Sequence, residues 1–287
     1  MIHEIEARVM LSHVPQPDEW FGLRYNMNLY RGCQHQCIYC DSRSECYGIE
    51  NFKDVLVKTN AVDLLNRELP SKREKGTIGT GSMSDPYGPV EREYNLTGRA
   101  LKAIAHFAFP VHILTKSDMV LKDLDTLVDV NRVHAVVSFS LTTADDDLAR
   151  NLEPGAPSPS RRLAAMAALA AKGIPTGVLL MPVLPFISDP PEMITDLVQQ
   201  AADHGARYVL PSFGMTLRDR QRDYYYDRLD RLFPGLRAQY QRSFGPRYHA
   251  AARNADRLYE LCHEQCALHG LATQVSRYQP PRQLALF

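Results

Sequence analysis

The chain has 287 residues, 45% of them hydrophobic and 23% charged, and its lysines and arginines balance its acids. That length and mixture exclude a disordered chain and a small disulfide-stapled scaffold, and leave material for one large buried core. The zero net charge hides an asymmetry: from Arg207 onward there is no lysine and more arginines than acids, a pattern that suits phosphate contacts or a solvated helix surface.

Short β-rich runs fall at 23–30, 77–82, 111–115, 135–141, 176–181 and 208–213. Amphipathic helical stretches separate them at 61–68, 96–107, 124–130, 160–171 and 191–204. Six alternations of strand and helix predict parallel βαβ units, as a doubly wound sheet or a barrel. Beyond Phe213 the pattern turns helical, over 217–232 and, after the break Phe233-Pro234-Gly235, over 248–269. The expected organisation is a core over 1–215, a helical appendage on the same domain over 216–276, and an extended tail over 277–287.

No apolar run approaches the roughly 20 residues that cross a bilayer. The first ten residues carry Glu4, Glu6 and Arg8 instead of a signal-peptide core. A cytoplasmic location is expected, with no membrane partner. Cysteines are reduced there, so a cluster of them points to metal binding or catalysis.

The densest chemical signal is Cys33-Gln34-His35-Gln36-Cys37-Ile38-Tyr39-Cys40, directly after the first predicted strand. Three thiolates on one loop can hold three irons of a [4Fe–4S] cubane and leave the fourth iron open to a chelating small molecule such as S-adenosylmethionine (SAM). Tyr39 stands where its ring can pack beside an adenine. The competing reading is a structural zinc site, which wants a fourth protein ligand, and His35 and Cys46 are the candidates. Cys262, Cys266 and His269 share one helix face, as a second metal site or a buried stripe.

The triad with an aromatic before its third cysteine resembles the radical SAM superfamily. Asn28 to Cys33, Ser84-Asp85-Pro86-Tyr87 with Glu91, Thr115-Lys116-Ser117, Phe139-Ser140, Leu152-Glu153-Pro154-Gly155 with Arg162, and Met181-Pro182 resemble its spore photoproduct lyase-like branch, also called DNA repair photolyase-like. The resemblance implies a partial (β/α)6 TIM-type barrel working at the C-terminal ends of its strands. It implies a [4Fe–4S] cluster on Cys33, Cys37 and Cys40, and SAM as the second cofactor. Lys116 would pair with the SAM carboxylate, Ser140 would bind its ribose or methionyl group, and Met181 would line the adenine pocket. Ser84 and Asp85 would reach its amino group or ribose, and Glu153 and Arg162 would form an ion pair shaping the site.

Reductive SAM cleavage to a 5′-deoxyadenosyl radical, on DNA or another nucleic acid, is the implied activity, fed by an electron donor such as flavodoxin or ferredoxin. In the spore lyase a cysteine donates hydrogen from the position that Ser82 holds here. An O–H bond is too strong to take over that step, so the expectation is radical chemistry without the lyase reaction, unless Tyr87, Tyr39 or Cys46 is the donor. Gln283, Leu284, Leu286 and Phe287 resemble a bacterial sliding-clamp-binding peptide, and Arg218, Arg220, Arg222 and residues 224–226 are candidate nucleic-acid contacts. The alternative from another class is a non-catalytic metal-binding module that docks nucleic acid or the clamp.

Overall fold

The computed structural model describes residues 1–16, 19–52 and 54–280. The chain opens on β1 (Ile2–Ile5) and β2 (Leu11–His13), then runs through β3 (Tyr25–Met27), β4 (Tyr30–Arg31) and β5 (Val55–Lys58). Next come α1 (Ala61–Glu68), β6 (Ile78–Thr80), α2 (Glu91–Tyr94), α3 (Leu96–His106), β7 (Val111–Thr115), α4 (Leu124–Asn131) and β8 (Ala135–Ser140). They are followed by α5 (Asp146–Leu152), α6 (Pro159–Ala170), β9 (Thr176–Leu180), α7 (Pro191–Asp203) and β10 (Val209–Pro211).

The main sheet has the order β10-β9-β8-β7-β6-β3-β2, and every neighbouring pair is parallel except β2 with β3. Six parallel strands joined through helices form the partial (β/α)6 barrel that the resemblance implies, one of the two arrangements the alternation allows. β8 shows why both faces must be apolar. All six of its residues are buried, Val137 and Phe139 against the helices and Val136 toward the interior beside Leu179, Tyr208 and Val275. Polar groups inside are paired: His112 Nε2 lies 2.7 Å from Ser138 Oγ, which lies 2.6 Å from the Tyr208 hydroxyl. Leu114 and Met181 pack on the interior cluster and also line the cavity above it, so this apolar layer is the cavity floor.

Three expectations need correction. The strand predicted over 23–30 is two strands, because the chain turns at Asn28 and Leu29, held by Lys58 Nζ on the Asn28 carbonyl and the Lys58 N–H on that of Leu29. β4 leaves the barrel and joins a separate sheet of order β1-β5-β4, so the triad hangs from that small sheet. The region after Phe213 is not wholly helical: β11 (Gly214–Thr216) pairs antiparallel with β12 (His249–Ala251). Between and after them run α8 (Asp219–Leu232), α9 (Leu236–Phe244) and α10 (Ala255–Leu268). α8 and α9 pack their apolar faces over Cys37, Ile38 and Tyr39. α10 returns to α7, with Cys262 and Cys266 buried as small hydrophobes in the main core. The third correction concerns the arginines of α8, described below. The clamp-like residues 283–287 lie outside the described residues, and no helix among the described residues is long and apolar enough to cross a membrane.

Candidate functional site

The site is built where strand ends meet the triad loop. Gly32 starts the loop with φ +82°, and a Cβ there would sit 2.1 Å from the Asp54 carbonyl oxygen, so only glycine lets the chain turn off β4 this close to its neighbour. Two backbone bonds then clamp the loop to the end of α5: the Ile38 N–H to the Leu152 carbonyl at 2.9 Å, and the Gly155 N–H to the His35 carbonyl at 2.9 Å. Gln36 donates to the carbonyls of Cys33 at 2.7 Å and Phe52 at 3.2 Å. The three cysteines are thus fixed on a loop braced from several sides.

They face one cavity of about 410 Å³. Its lining includes every residue expected to hold the cluster or SAM: Cys33, Cys37, Cys40, Tyr39, Ser84, Asp85, Lys116, Ser140 and Met181. Lys116 Nζ donates to Ser140 Oγ at 2.8 Å, and Ser140 Oγ donates to the Met181 carbonyl at 3.1 Å, so three strand ends are linked across the cavity wall. Burial alone would lower the Lys116 ammonium, but Cys37 and Glu153 outweigh it and keep the amine charged.

Asp85 lines the cavity and is also held by donors from several sides. Its Oδ1 accepts from the Thr115 hydroxyl at 2.7 Å and the Tyr87 N–H at 2.9 Å. Its Oδ2 accepts from the Lys116 N–H at 2.6 Å and lies 3.0 Å from His35 Nε2. Burial pushes the carboxyl up, yet His35 and these donors more than offset it and hold it at about 2. His35 donates Nδ1–H to the Gly155 carbonyl at 3.1 Å, so Asp85 and His35 together fasten the triad loop to the strand-end loops. Ser84 likewise turns its hydroxyl inward, onto the Tyr30 carbonyl at 2.7 Å.

Tyr39 donates to Glu153 Oε1, and its hydroxyl lies 2.9 Å from Thr142 Oγ1. Glu153 Oε2 pairs with Arg162 Nη2 at 2.5 Å, and both side chains are almost fully buried. Arg162 also donates to the carbonyls of Ser140 and Pro157. The Glu153–Arg162 pair therefore exists and ties the triad loop, through Tyr39, to β8.

The donor set can be weighed against the two metal readings. Burial pushes all three thiols up, Cys33 to about 12 with Asp85 and Cys40 adding to it, so thiolates here require a strong positive charge in front of them. A closed zinc site lacks its fourth ligand, because His35 is turned to Gly155 and Asp85 while Cys46 is exposed and outside the cavity lining. Among the described residues no three His, Cys, Asp or Glu side chains converge on a single ion's position. Spread thiols facing an open cavity fit a cubane with one free iron.

The arginines of α8 do not offer themselves to phosphate. Arg218 pairs with Asp41 at 3.0 Å, Arg220 donates to the carbonyls of Arg43 and Ile49, and Arg222 donates to those of Leu217, Pro246 and Arg247. Arg218 and Arg220 brace the loop after the triad, Arg222 ties the start of α8 to the turn before β12, and Tyr225 and Tyr226 are buried. Residues missed from sequence include Asp41, Ser212, Thr216 and His249, which complete the lining. Asp41 had a signal, its place directly after Cys40. Thr216 and His249 had none, since the β11–β12 pairing joins distant positions. Of the candidate hydrogen donors only Tyr39 lines the cavity; Tyr87 is buried with its hydroxyl on Asp123.

The family model described as the radical SAM superfamily matches residues 27–201. An uncharacterized protein of Mycobacterium tuberculosis is 35% identical over 248 residues, covering 83% of this chain and 72% of its own length. The radical SAM Nalpha-GlyT isomerase of Pseudomonas phage M6 is 25% identical over 181 residues, 63% of this chain and 37% of its own. The solved structure of spore photoproduct lyase complexed with dinucleoside spore photoproduct superimposes with a TM-score of 0.71 at 16% identity, covering 94% of this chain and 80% of that one. With the cysteine triad at the mouth of this barrel and the family model spanning most of it, the chain belongs to the radical SAM superfamily of enzymes.

Proposed function

We propose that this enzyme cleaves SAM reductively at a [4Fe–4S] cluster on Cys33, Cys37 and Cys40 and turns the radical on a nucleic-acid substrate. The observation that carries the reading is the single cavity that gathers the three thiols with Lys116, Ser140 and Met181. When bound, the cluster supplies one electron to the sulfonium of SAM, giving methionine and a 5′-deoxyadenosyl radical. The chain's own residues position the reactant and exclude water.

Lys116 would pair with the SAM carboxylate, its ammonium held in place by Ser140. Ser140, Met181 and Tyr39 line the same cavity and would hold the ribose and adenine of SAM. Asp85 and Ser84 hold the strand-end loops in register and keep Lys116 aimed. In this reading residues 1–215 carry the chemistry, 216–276 wall it, and a flavodoxin or ferredoxin supplies the electron.

Support for a nucleic-acid substrate is twofold. The spore photoproduct lyase of similar fold is solved with a dinucleoside photoproduct. Here the far wall of the cavity carries Ser212, Thr216 and His249, hydrogen-bonding groups that suit base edges. Ser82 also lines the cavity, and no cysteine outside the triad does, so the lyase step that needs a thiol is not part of the proposal.

Anaerobic reconstitution with iron and sulfide, followed by SAM and dithionite, tests the reading. The expected result is about four irons per chain and 5′-deoxyadenosine by mass spectrometry, with deuterium moving from a labelled photoproduct-bearing oligonucleotide into it. Zinc binding without iron, or an iron-loaded chain that leaves SAM intact, would falsify it.

A further inference from the structure

Behind the triad, on the side away from the cavity, lies Arg43. It ends the single turn Asp41–Arg43 that follows Cys40 and is buried, 8% exposed. Its guanidinium lies between two rings, 4.1 Å from the centre of Phe52 and 3.7 Å from that of Tyr224. Its Nε donates to the Cys37 carbonyl at 3.3 Å and its Nη2 to Gln36 Oε1 at 3.1 Å. Both acceptors are neutral. Among the described residues no carboxylate lies at ion-pair distance from it, whereas the other deeply buried arginine, Arg162, has Glu153.

A buried cation without a counter-ion is costly, because water is lost and nothing negative replaces it. Aromatic faces and carbonyl dipoles return part of that cost. The remaining charge acts on whatever lies nearest in the same low-dielectric region. That is the triad: Arg43 Nε donates to the backbone carbonyl of Cys37, and its own turn begins directly after Cys40. A three-thiolate cluster is net negative, and adding an electron makes it more so. A fixed positive charge therefore favours the reduced form and raises the reduction potential.

We propose that Arg43 is a positioning residue that sets the reduction potential of the cluster, by holding an unpaired guanidinium behind Cys37 and Cys40 where the Phe52 and Tyr224 rings keep water and counter-ions off it. The inference rests on the cluster assignment made above. It assigns the arrangement a purpose: ease of electron entry is set from the rear of the loop, leaving the cavity face free for the reactant.

The test is an EPR-monitored redox titration of anaerobically reconstituted wild type, Arg43→Lys and Arg43→Gln, with iron content measured for each. Wild-type iron in R43Q with a potential moved to more negative values, and R43K lying closer to wild type, is the expected result. Equal shifts in R43K and R43Q, or no shift in R43Q at full iron content, overturns the proposal and leaves Arg43 as packing. If R43Q loses its cluster, Tyr224→Leu carries the test, since it keeps the charge and admits water to it. A smaller negative shift then supports the proposal, and an unchanged potential refutes it. Failure of wild type itself to hold iron refutes the cluster assignment instead, so the two failures are distinguishable.

Discussion

The triad loop is gripped by two walls, and each carries a buried arginine balanced in an opposite way. On the barrel side Arg162 meets Glu153 in a closed ion pair, and the pair reaches the loop through the Tyr39 hydroxyl. On the side built by α8, Arg43 meets only rings and neutral oxygens, while Arg220 fastens the loop by its carbonyls. A closed pair spends its charge on itself and gives rigidity. An open cation keeps its field for the neighbouring thiols. The same residue type therefore braces on one side and polarises on the other.

The largest expected effect comes from opening the closed pair. Glu153→Gln leaves Arg162 buried and uncompensated, and should cost about 3–5 kcal/mol of stability. The one oxygen that Gln keeps can serve the Tyr39 hydroxyl or Arg162, not both. Thermal denaturation of cluster-free protein reads this cost; a loss under about 1 kcal/mol would show that Arg162 is satisfied by the carbonyls of Ser140 and Pro157 alone. On the opposite wall, Arg220→Met removes two charge-assisted bonds to backbone at 2.8 and 2.7 Å. The expected loss is smaller, about 1.5–3 kcal/mol, because the partners are carbonyls that can turn to water. It should come with poorer iron loading, since the Arg43 turn loosens. Unchanged loading at lowered stability would mean that Arg220 serves α8 and not the triad.

The two walls also differ in how far they could be read from sequence. The barrel wall follows local rules. Buried strands such as Ala135–Ser140 announce themselves by short, mostly apolar, β-rich runs, and a residue at a strand end is at the cavity by geometry, which is why Lys116, Ser140 and Met181 stand within one residue of the strand ends that the sequence predicts. The opposing wall rests on contacts between residues near 40 and near 220, and arginine spacing carries no mark of whether a guanidinium turns outward or onto a carbonyl. Arg218, Arg220 and Arg222 thus read as a surface, and the structure uses them as braces. The β11–β12 pairing was missed for a related reason: three-residue strands are too short for an alternating pattern, and only their meeting makes them strands. For Asp85, motif position says that a carboxylate faces the site, and not that donors from Thr115, Tyr87 and Lys116 already meet it.

The smallest predicted effect separates the walls by pH. In the folded chain burial raises the Glu153 carboxyl, and Arg162, Lys116 and the Tyr39 hydroxyl together bring it below its ordinary value of 4.5. A carboxyl lowered by folding adds stability that is fully present above the unfolded value and fades as pH falls through the folded one. The barrel wall should therefore weaken on acidification below about pH 4.5, the ordinary value of a glutamate carboxyl, while the guanidinium of Arg43 does not titrate in that window. The pH effect must be smaller than that of Glu153→Gln at neutral pH. Titration reports only the net of burial and attraction, whereas removing the carboxylate exposes the whole cost of an unpaired Arg162. Denaturation of cluster-free protein from pH 7 to pH 3, a range of about four units around the carboxylate values, should show a shallower acid loss in Glu153→Gln than in wild type. Parallel losses would place the acid-sensitive group elsewhere and leave the two walls alike in this respect.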